Sequence, residues 1–338
     1  MSWFSSRSSQ KQAPSGRWFT FRLRTLLIVA ALTAIGVSYW KQELRRRPLV
    51  RQQVCDRLRG RGFDLWVDDA GTARPSVPIV PPRWRQLLGE TPAENPTGAR
   101  RAGATDSDCE YLSQLLQLRE VEANSTDISD VGIAHLAALR QLTRLNLNGP
   151  RISADGVRTI GRLTRLEDLS LTHIDVPQTP AYMAGLKRLR RLSLIGIPLD
   201  DAGVSRLAGL TNLTSLDLSD TRITAAGIRQ LGSLSSLNEL GLRLTKLTDA
   251  DMAAVARLKQ LRALDLSSDP ITSAGLAQLT KLGQLETLKL NWTNVDDGAL
   301  MYLTQFKNLK VIGLVGSDMT RSGIAQLQKL MPKLVVDP

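Results

Sequence analysis

Apolar side chains recur through the C-terminal two-thirds of the chain in one 24-residue phrase. It is clearest in Leu213-Thr214-Ser215-Leu216-Asp217-Leu218-Ser219-Asp220-Thr221-Arg222-Ile223-Thr224, followed by Gly227 and Ile228. The second leucine of each phrase, or its substitute, falls at Val121, Leu145, Leu169, Leu192, Leu216, Leu240, Leu264, Leu288 and Ile312, spaced by 24 except for one step of 23. A fixed period of this length predicts a solenoid, in which each repeat buries its apolar face only against its neighbours. The Leu-x-x-Leu-x-Leu start turns alternate side chains inward on a short parallel strand. A further Ile, Leu or Val seven positions after the register residue joins the core.

A return arm follows each strand. Ser129, Ser153, Asp200, Thr224, Thr248, Thr272, Asp296 and Thr320 share one position and are predicted to cap short helices by accepting from their free amides. Gly132, Gly156, Gly203, Gly227, Gly275 and Gly323 remove a side chain where arms approach one another. The third repeat breaks the pattern: Asp175-Val176-Pro177-Gln178-Thr179-Pro180 lacks the cap, the glycine and one residue, which predicts an irregular arm. Thr105, Cys109, Leu112, Leu115 and Leu118 keep the register one period earlier and read as an N-terminal cap. Leu330 to Val336 reads as a last short strand with no polar cap after it.

The phrase with Thr221-Arg222-Ile223-Thr224 and Gly227-Ile228 resembles bacterial leucine-rich repeats of the ribonuclease-inhibitor-like group. The resemblance implies an α/β solenoid over 105–338, with a curved parallel sheet inside and short helices outside. It also implies protein recognition on the concave face, with no common catalytic residue to carry over. Thr126, Thr221, Thr245 or Thr293 stands where many such repeats have Asn, so an asparagine ladder is not expected.

Charge changes the picture at the N-terminus. Of the net +12, residues 1 to 62 carry +11 (13 Lys/Arg against 2 Asp/Glu), residues 63 to 110 carry −3 (5 against 8), and the repeats only +4 (26 against 22). The run Leu26 to Trp40 holds no charge, sits between Arg22/Arg24 and Lys41/Arg45-Arg46-Arg47, and reads as a single-pass membrane anchor. A cleaved signal peptide is the alternative, opposed by the long basic leader and the weak Ala34-Ile35-Gly36 site. The basic leader Phe21-Arg22-Leu23-Arg24-Thr25-Leu26-Leu27 with the following arginine-rich stretch also resembles single-pass repeat proteins of large-genome bacteria. Five flanking cations precede the run and seven follow, so orientation is nearly balanced; the cost of moving the charged leader across leans toward repeats outside the cytoplasm.

These features divide the chain into a basic tail (1–24), a transmembrane helix (25–40), a juxtamembrane helical module (41–89), a linker rich in Pro, Gly, Ala and Thr (90–104) and the repeat domain (105–338). Beyond the anchor, the cations of the juxtamembrane module are expected near lipid headgroups.

Signs of catalysis are sparse. His135 and His173 are the only histidines, no phosphate loop or metal motif occurs, and no cofactor or metal is expected. Cys55 and Cys109 read as free thiols in preference to a disulfide, because Cys109 fills a core position that other repeats give to Ile, Leu or Val. Outward strand positions are where a binding role is sought. Against a background of serines stand Arg144, Asn146, Asp168, His173, Arg191, Asp217, Asp220, Arg243, Asp265, Lys289, Asn291 and Trp292. Trp292 occupies a place that other repeats give to Gly149, Gly196 or Ser268 and suits an aromatic anchor, or a ring folded over the neighbouring repeat. Mixed signs of charge argue against nucleic acid and toward a protein or peptide partner. The rival expectation is an envelope-structural or regulatory adaptor assembling through the juxtamembrane module and the C-terminal edge.

Overall fold

A computed structural model describes residues 51–66, 96–124, 127–149 and 151–337. Among them one sheet runs in chain order through twelve strands. These are β1 (Asp64–Trp66), β2 (Gly98–Ala102), β3 (Glu120–Asn124), β4 (Arg144–Asn148), β5 (Asp168–Thr172) and β6 (Arg191–Ser193), then β7 (Ser215–Asp217), β8 (Glu239–Gly241), β9 (Ala263–Asp265), β10 (Thr287–Lys289), β11 (Val311–Gly313) and β12 (Val335–Asp337).

The expected register pairs residue by residue, from Val121 beside Leu145 through to Leu288 beside Ile312. It extends one strand further at each end, through Ala99 beside Val121 and Ile312 beside Val336. The core is the stack of these residues with the apolar residue seven positions on, such as Ile128, Ile223, Ile271 and Val295, all buried. Each buried leucine contributes roughly 1.5 to 3 kcal/mol of gross hydrophobic stabilisation, which explains why the period is kept so strictly.

All eight expected capping residues sit at the starts of arm helices or helical turns. An aspartate ladder joins successive arms. The Asp249 carboxylate accepts the amide of Thr272 at 2.9 Å and its hydroxyl at 2.5 Å, one repeat on. Asp106, Asp130, Asp201 and Asp297 do the same for Ser129, Ser153, Thr224 and Thr320. These carboxylates explain five of the arm glycines: a Cβ at Gly132, Gly156, Gly227, Gly275 or Gly323 would collide with the aspartate of the preceding repeat. At Gly203 the collision would be with Leu199 of its own repeat.

Two expectations change. The third arm is not irregular throughout; Thr179–Met183 is a short helix that starts at Gln178 without a side-chain cap and carries Pro180 in its first turn. Proline is tolerated there because that amide has no helical acceptor, and the Thr179 hydroxyl donates to the Val176 carbonyl at 2.7 Å. Residues 98–102, read from composition as linker, form β2, and Ala99 fills a fully buried register slot.

The arginine-rich stretch is helical over 51–60 and packs on the solenoid, burying Val54, Cys55 and Leu58 in its core. Arg57 and Arg61 lie 5.1 and 5.9 Å from the Tyr111 ring centroid. Asp108, wholly buried, accepts from Arg61, from Arg101 at 2.7 Å and from the Thr105 amide at 2.9 Å. Burial works against its charge, but these partners, led by Arg61, hold its carboxyl below the usual range. Strand β1 pairs antiparallel with β2 and closes this edge of the sheet. At the other edge β12 has Val335 exposed.

The leader, the apolar run 26–40 and residues 67–95 lie outside the described residues. Among the described residues no helix is long and apolar enough to cross a membrane.

Candidate functional site

The sheet face turned away from the arms presents the two side chains that flank each register residue. Arg144, Asp168 and Arg191 fall in one column with Glu120 and pair with one another. Arg144 bonds Glu120 at 2.7 Å and Asp168 at 2.8 Å, and Arg191 reaches the same Asp168 oxygen. Burial opposes the Arg144 charge, yet the bonds to Glu120 and Asp168 raise its pKa above the ordinary arginine value. This column is an internal ion ladder, with its charges directed at one another. The His173 ring lies against Gly196 of the next repeat. Among the described residues no group of three His, Cys, Asp or Glu side chains is placed to hold a metal ion.

The next column holds Asn146, Asp217, Asp265 and Lys289, with Gly241 between the two aspartates. Asp217 accepts the amide and hydroxyl of Ser219 at 3.0 and 2.6 Å, and Asp265 accepts the Ser267 amide at 3.0 Å, each through Oδ1. Lys289 is exposed. Two residues beyond this column, Arg243 extends an exposed side chain while its amide donates to the Ser219 hydroxyl at 3.2 Å. Asn291 is used structurally: its Oδ1 accepts the Val315 amide at 2.9 Å.

One residue further on, the backbone turns left-handed in repeat after repeat. His173, Gly196, Asp220, Leu244, Ser268, Trp292 and Gly316 have φ between 55° and 67°. L-residues pay for this conformation through a Cβ–carbonyl clash, which is why glycine is the default there. The ladder nevertheless continues through the column: the amides of Asp220, Leu244, Ser268 and Trp292 donate to Arg243, Ser267, Asn291 and Val315 carbonyls at 2.7, 3.1, 2.7 and 2.7 Å. The Trp292 indole lies against Gly316, where any Cβ would strike its ring carbons, and the residue is still 65% exposed. The tryptophan folds over its neighbour and still leaves a large aromatic surface open. Leu244, two repeats earlier in the same column, is 44% exposed. Beside it an open depression of about 530 Å³ is lined by Pro198, Asp220, Arg222, Leu244 and Lys246 among others.

Sequence reasoning overlooked Leu244. The signal was present, because Leu244 and Trp292 are 48 residues apart in a 24-residue register. It also overlooked Asp269, a buried carboxyl in a position that neighbouring repeats fill with Thr221, Thr245 and Thr293. Those threonines each donate to the carbonyl three residues back, at 2.6 to 2.7 Å. Asp269 accepts the Lys246 amide at 2.6 Å and the Thr245 hydroxyl at 3.1 Å. Burial outweighs these bonds and pushes its pKa up to about 6. Cys55 and Cys109 are both buried, and burial, with Asp106 and Asp108 nearby, pushes the Cys109 thiol up to about 12.

A family model described as a leucine rich repeat matches residues 211–271. The register running through the parallel strands and the capped arms carries the same pattern beyond that match and gives the chain the fold of a leucine-rich-repeat solenoid. No curated protein matches the chain. Among solved structures the chain is similar to an internalin, inlF, from Listeria monocytogenes, at 20% identity over 75% of this chain and 92% of that one, with a TM-score of 0.41. It is also similar to internalin C2 from the same organism, at 26% identity over 61% of this chain and 83% of that one, with a TM-score of 0.45.

Proposed function

We propose that this chain is a membrane-tethered leucine-rich-repeat scaffold that holds a protein or peptide partner on the sheet face turned away from the arms, without catalysing a reaction. The observation that carries the reading is Trp292, a large aromatic held open to solvent in a backbone conformation that glycine would adopt more cheaply. Strain and exposed aromatic area at one position are costs that a binding anchor explains. Arg243, Asp220, Asp217, Asp265 and Lys289 lie on the same face in its own repeat and the three before it and are offered as polar contacts, whereas Arg144, Asp168 and Arg191 bond to one another in the N-terminal part of that face. The tether rests on the uncharged run 26–40 between basic flanks.

Crosslinking in native membranes followed by affinity capture compares wild type with Trp292→Gly combined with Arg243→Ala. Loss of a specific polypeptide supports the reading, and an unchanged set of partners overturns it in favour of an adaptor that assembles elsewhere. The tether is tested separately by alkaline extraction, where release of the full-length chain from membranes would contradict it.

A further inference from the structure

Strands β2 to β12 are parallel and in register, so the turns leading into them share one edge of the solenoid and the turns leaving them share the other. The two edges differ in charge. Across the eight repeats of β4 to β11, the six residues before each strand, from 138–143 to 305–310, hold twelve Lys or Arg against Glu167 and Glu286. The six residues that start four positions after each register residue, from 149–154 to 316–321, hold nine Asp against Arg151, Arg222, Lys246 and Arg321. The strands and arms between these turns are nearly balanced, with seven cations against six acids. The modest positive excess of the repeats therefore conceals one edge at +10 and another at −5.

Little of the basic edge is neutralised internally. Arg262 and Lys310 share Glu286. The other ten cations are exposed and make no ion pair among the described residues. Together they attract negative charge within about one Debye length, ~8 Å at physiological ionic strength. Two features favour anionic lipid headgroups over a nucleic acid as the source of that charge. Phe306, the one aromatic residue of these turns, is buried, so no ring is open for a base to stack on. The cations also fall in separate groups: Lys187, Arg188 and Arg190 are parted from Arg257, Lys259 and Arg262 by the uncharged turns 209–214 and 233–238. Mobile lipids can gather under each group, whereas a phosphate backbone of fixed spacing would run across the uncharged gap. The reach of the chain agrees, because Trp40 at the end of the uncharged run and Arg51 of the docked helix are eleven residues apart, ~40 Å at full extension.

We infer that the edge formed by the turns leading into the strands rests on the anionic headgroups of the membrane that holds the chain, with the acidic edge turned away and the sheet face left open at the side. This rests on the tether of the proposed function and adds the side of the solenoid that meets the bilayer.

The full-length chain is reconstituted in vesicles of phosphatidylcholine, with or without phosphatidylglycerol, that carry a quencher on their headgroups. A single cysteine replaces Lys307 on the basic edge or Asp318 on the acidic edge of the same repeat, both exposed, and is labelled with a fluorophore; Cys55 and Cys109 are buried. With phosphatidylglycerol present, quenching at 307 is expected to exceed that at 318 about twofold or more. The difference is expected to vanish in high salt and in a variant carrying Arg188→Glu, Arg190→Glu, Arg257→Glu and Lys259→Glu. Equal quenching at the two positions, or a difference that persists in neutral vesicles or in the variant, would overturn the inference. Quenching at neither position would overturn it too, and alkaline extraction of the same vesicles then shows whether the tether stands without it. Binding of a DNA duplex that depends on the four cations, with neither dye quenched, would assign the edge to nucleic acid instead.

Discussion

At the residue scale, Trp292 and Asp269 each sit where the repeat would ordinarily place something cheaper. A non-glycine residue in the left-handed region costs about 1–2 kcal/mol, and Trp292 offsets part of that by covering Gly316. Trp292→Gly is therefore expected to shift the unfolding free energy by no more than about 1 kcal/mol in denaturant titration, although it removes the largest exposed side chain of the face. Trp292→Val, β-branched in the same conformation, is expected to be clearly less stable than Trp292→Gly. Equal stabilities would show that backbone strain is not the governing factor.

Asp269 predicts a pH dependence of definite sign. Its folded pKa, about 6, lies above the ordinary 3.8, so its contribution is fully present below that ordinary value and is lost as pH rises through about 6. The difference corresponds to about 3 kcal/mol at ~1.4 kcal/mol per pH unit. Melting temperature should rise on acidification from neutral toward pH 4, and Asp269→Asn should flatten that rise. A rise that persists in the variant would assign it to another group. Asp106 and Asp108 act in the opposite sense: their pKa values are lowered, so their contribution is present above the ordinary 3.8 and is lost on further acidification.

At the scale of the element, the arm helices are short and depend on their caps and on the aspartates reaching between repeats. Alanine in place of a helical glycine ordinarily stabilises a helix by up to about 1 kcal/mol. At Gly275 the sign should reverse, because a Cβ there would displace the Asp249 carboxylate from Thr272. Gly275→Ala is expected to destabilise by about 1–3 kcal/mol and Asp249→Asn by about 1 kcal/mol. The double variant should cost less than the sum, read by a double-mutant cycle in urea. Strict additivity would mean that the two residues do not share the contact.

The strands and caps were legible in the sequence because they repeat at one fixed interval, so Leu216 and Thr224 announce their roles by position alone. The aspartate ladder was not, because its partners lie 23 residues apart, one short of the period, and its glycine explanation needs the arms in place. Strand β2 was missed because Ala99 fills an apolar slot with the weakest apolar signal. The outward positions were legible as well, but only the folded arrangement separates Arg144, Asp168 and Arg191, bonded through Asp168, from Trp292 and Arg243, whose side chains are exposed.

At the scale of the molecule, repeats that contact only their neighbours need protected ends. The N-terminal end obtains this from helix 51–60 and β1, held through Asp108 and its two arginines. Arg61→Ala would leave Asp108 short of a charged partner in a buried site, at a cost of about 3 kcal/mol. Hydrogen exchange should then show faster opening of β1 to β3, with β7 to β10 unchanged; equal acceleration throughout would show that the solenoid opens as one unit. The same organisation sets the left-handed rim of β7 to β11 apart from the capped end.

The most direct test of that division is site-specific photocrosslinking in native membranes. A benzophenone side chain replaces Lys289 on the sheet face, Arg257 on an arm, or Val335 at the C-terminal edge, each exposed. A polypeptide crosslinked from position 289 but not from 257 or 335, and lost when Trp292→Gly is added, is the result expected of a scaffold that binds through its open face. Crosslinks arising only at 257 or 335, or persisting at 289 without Trp292, would contradict it.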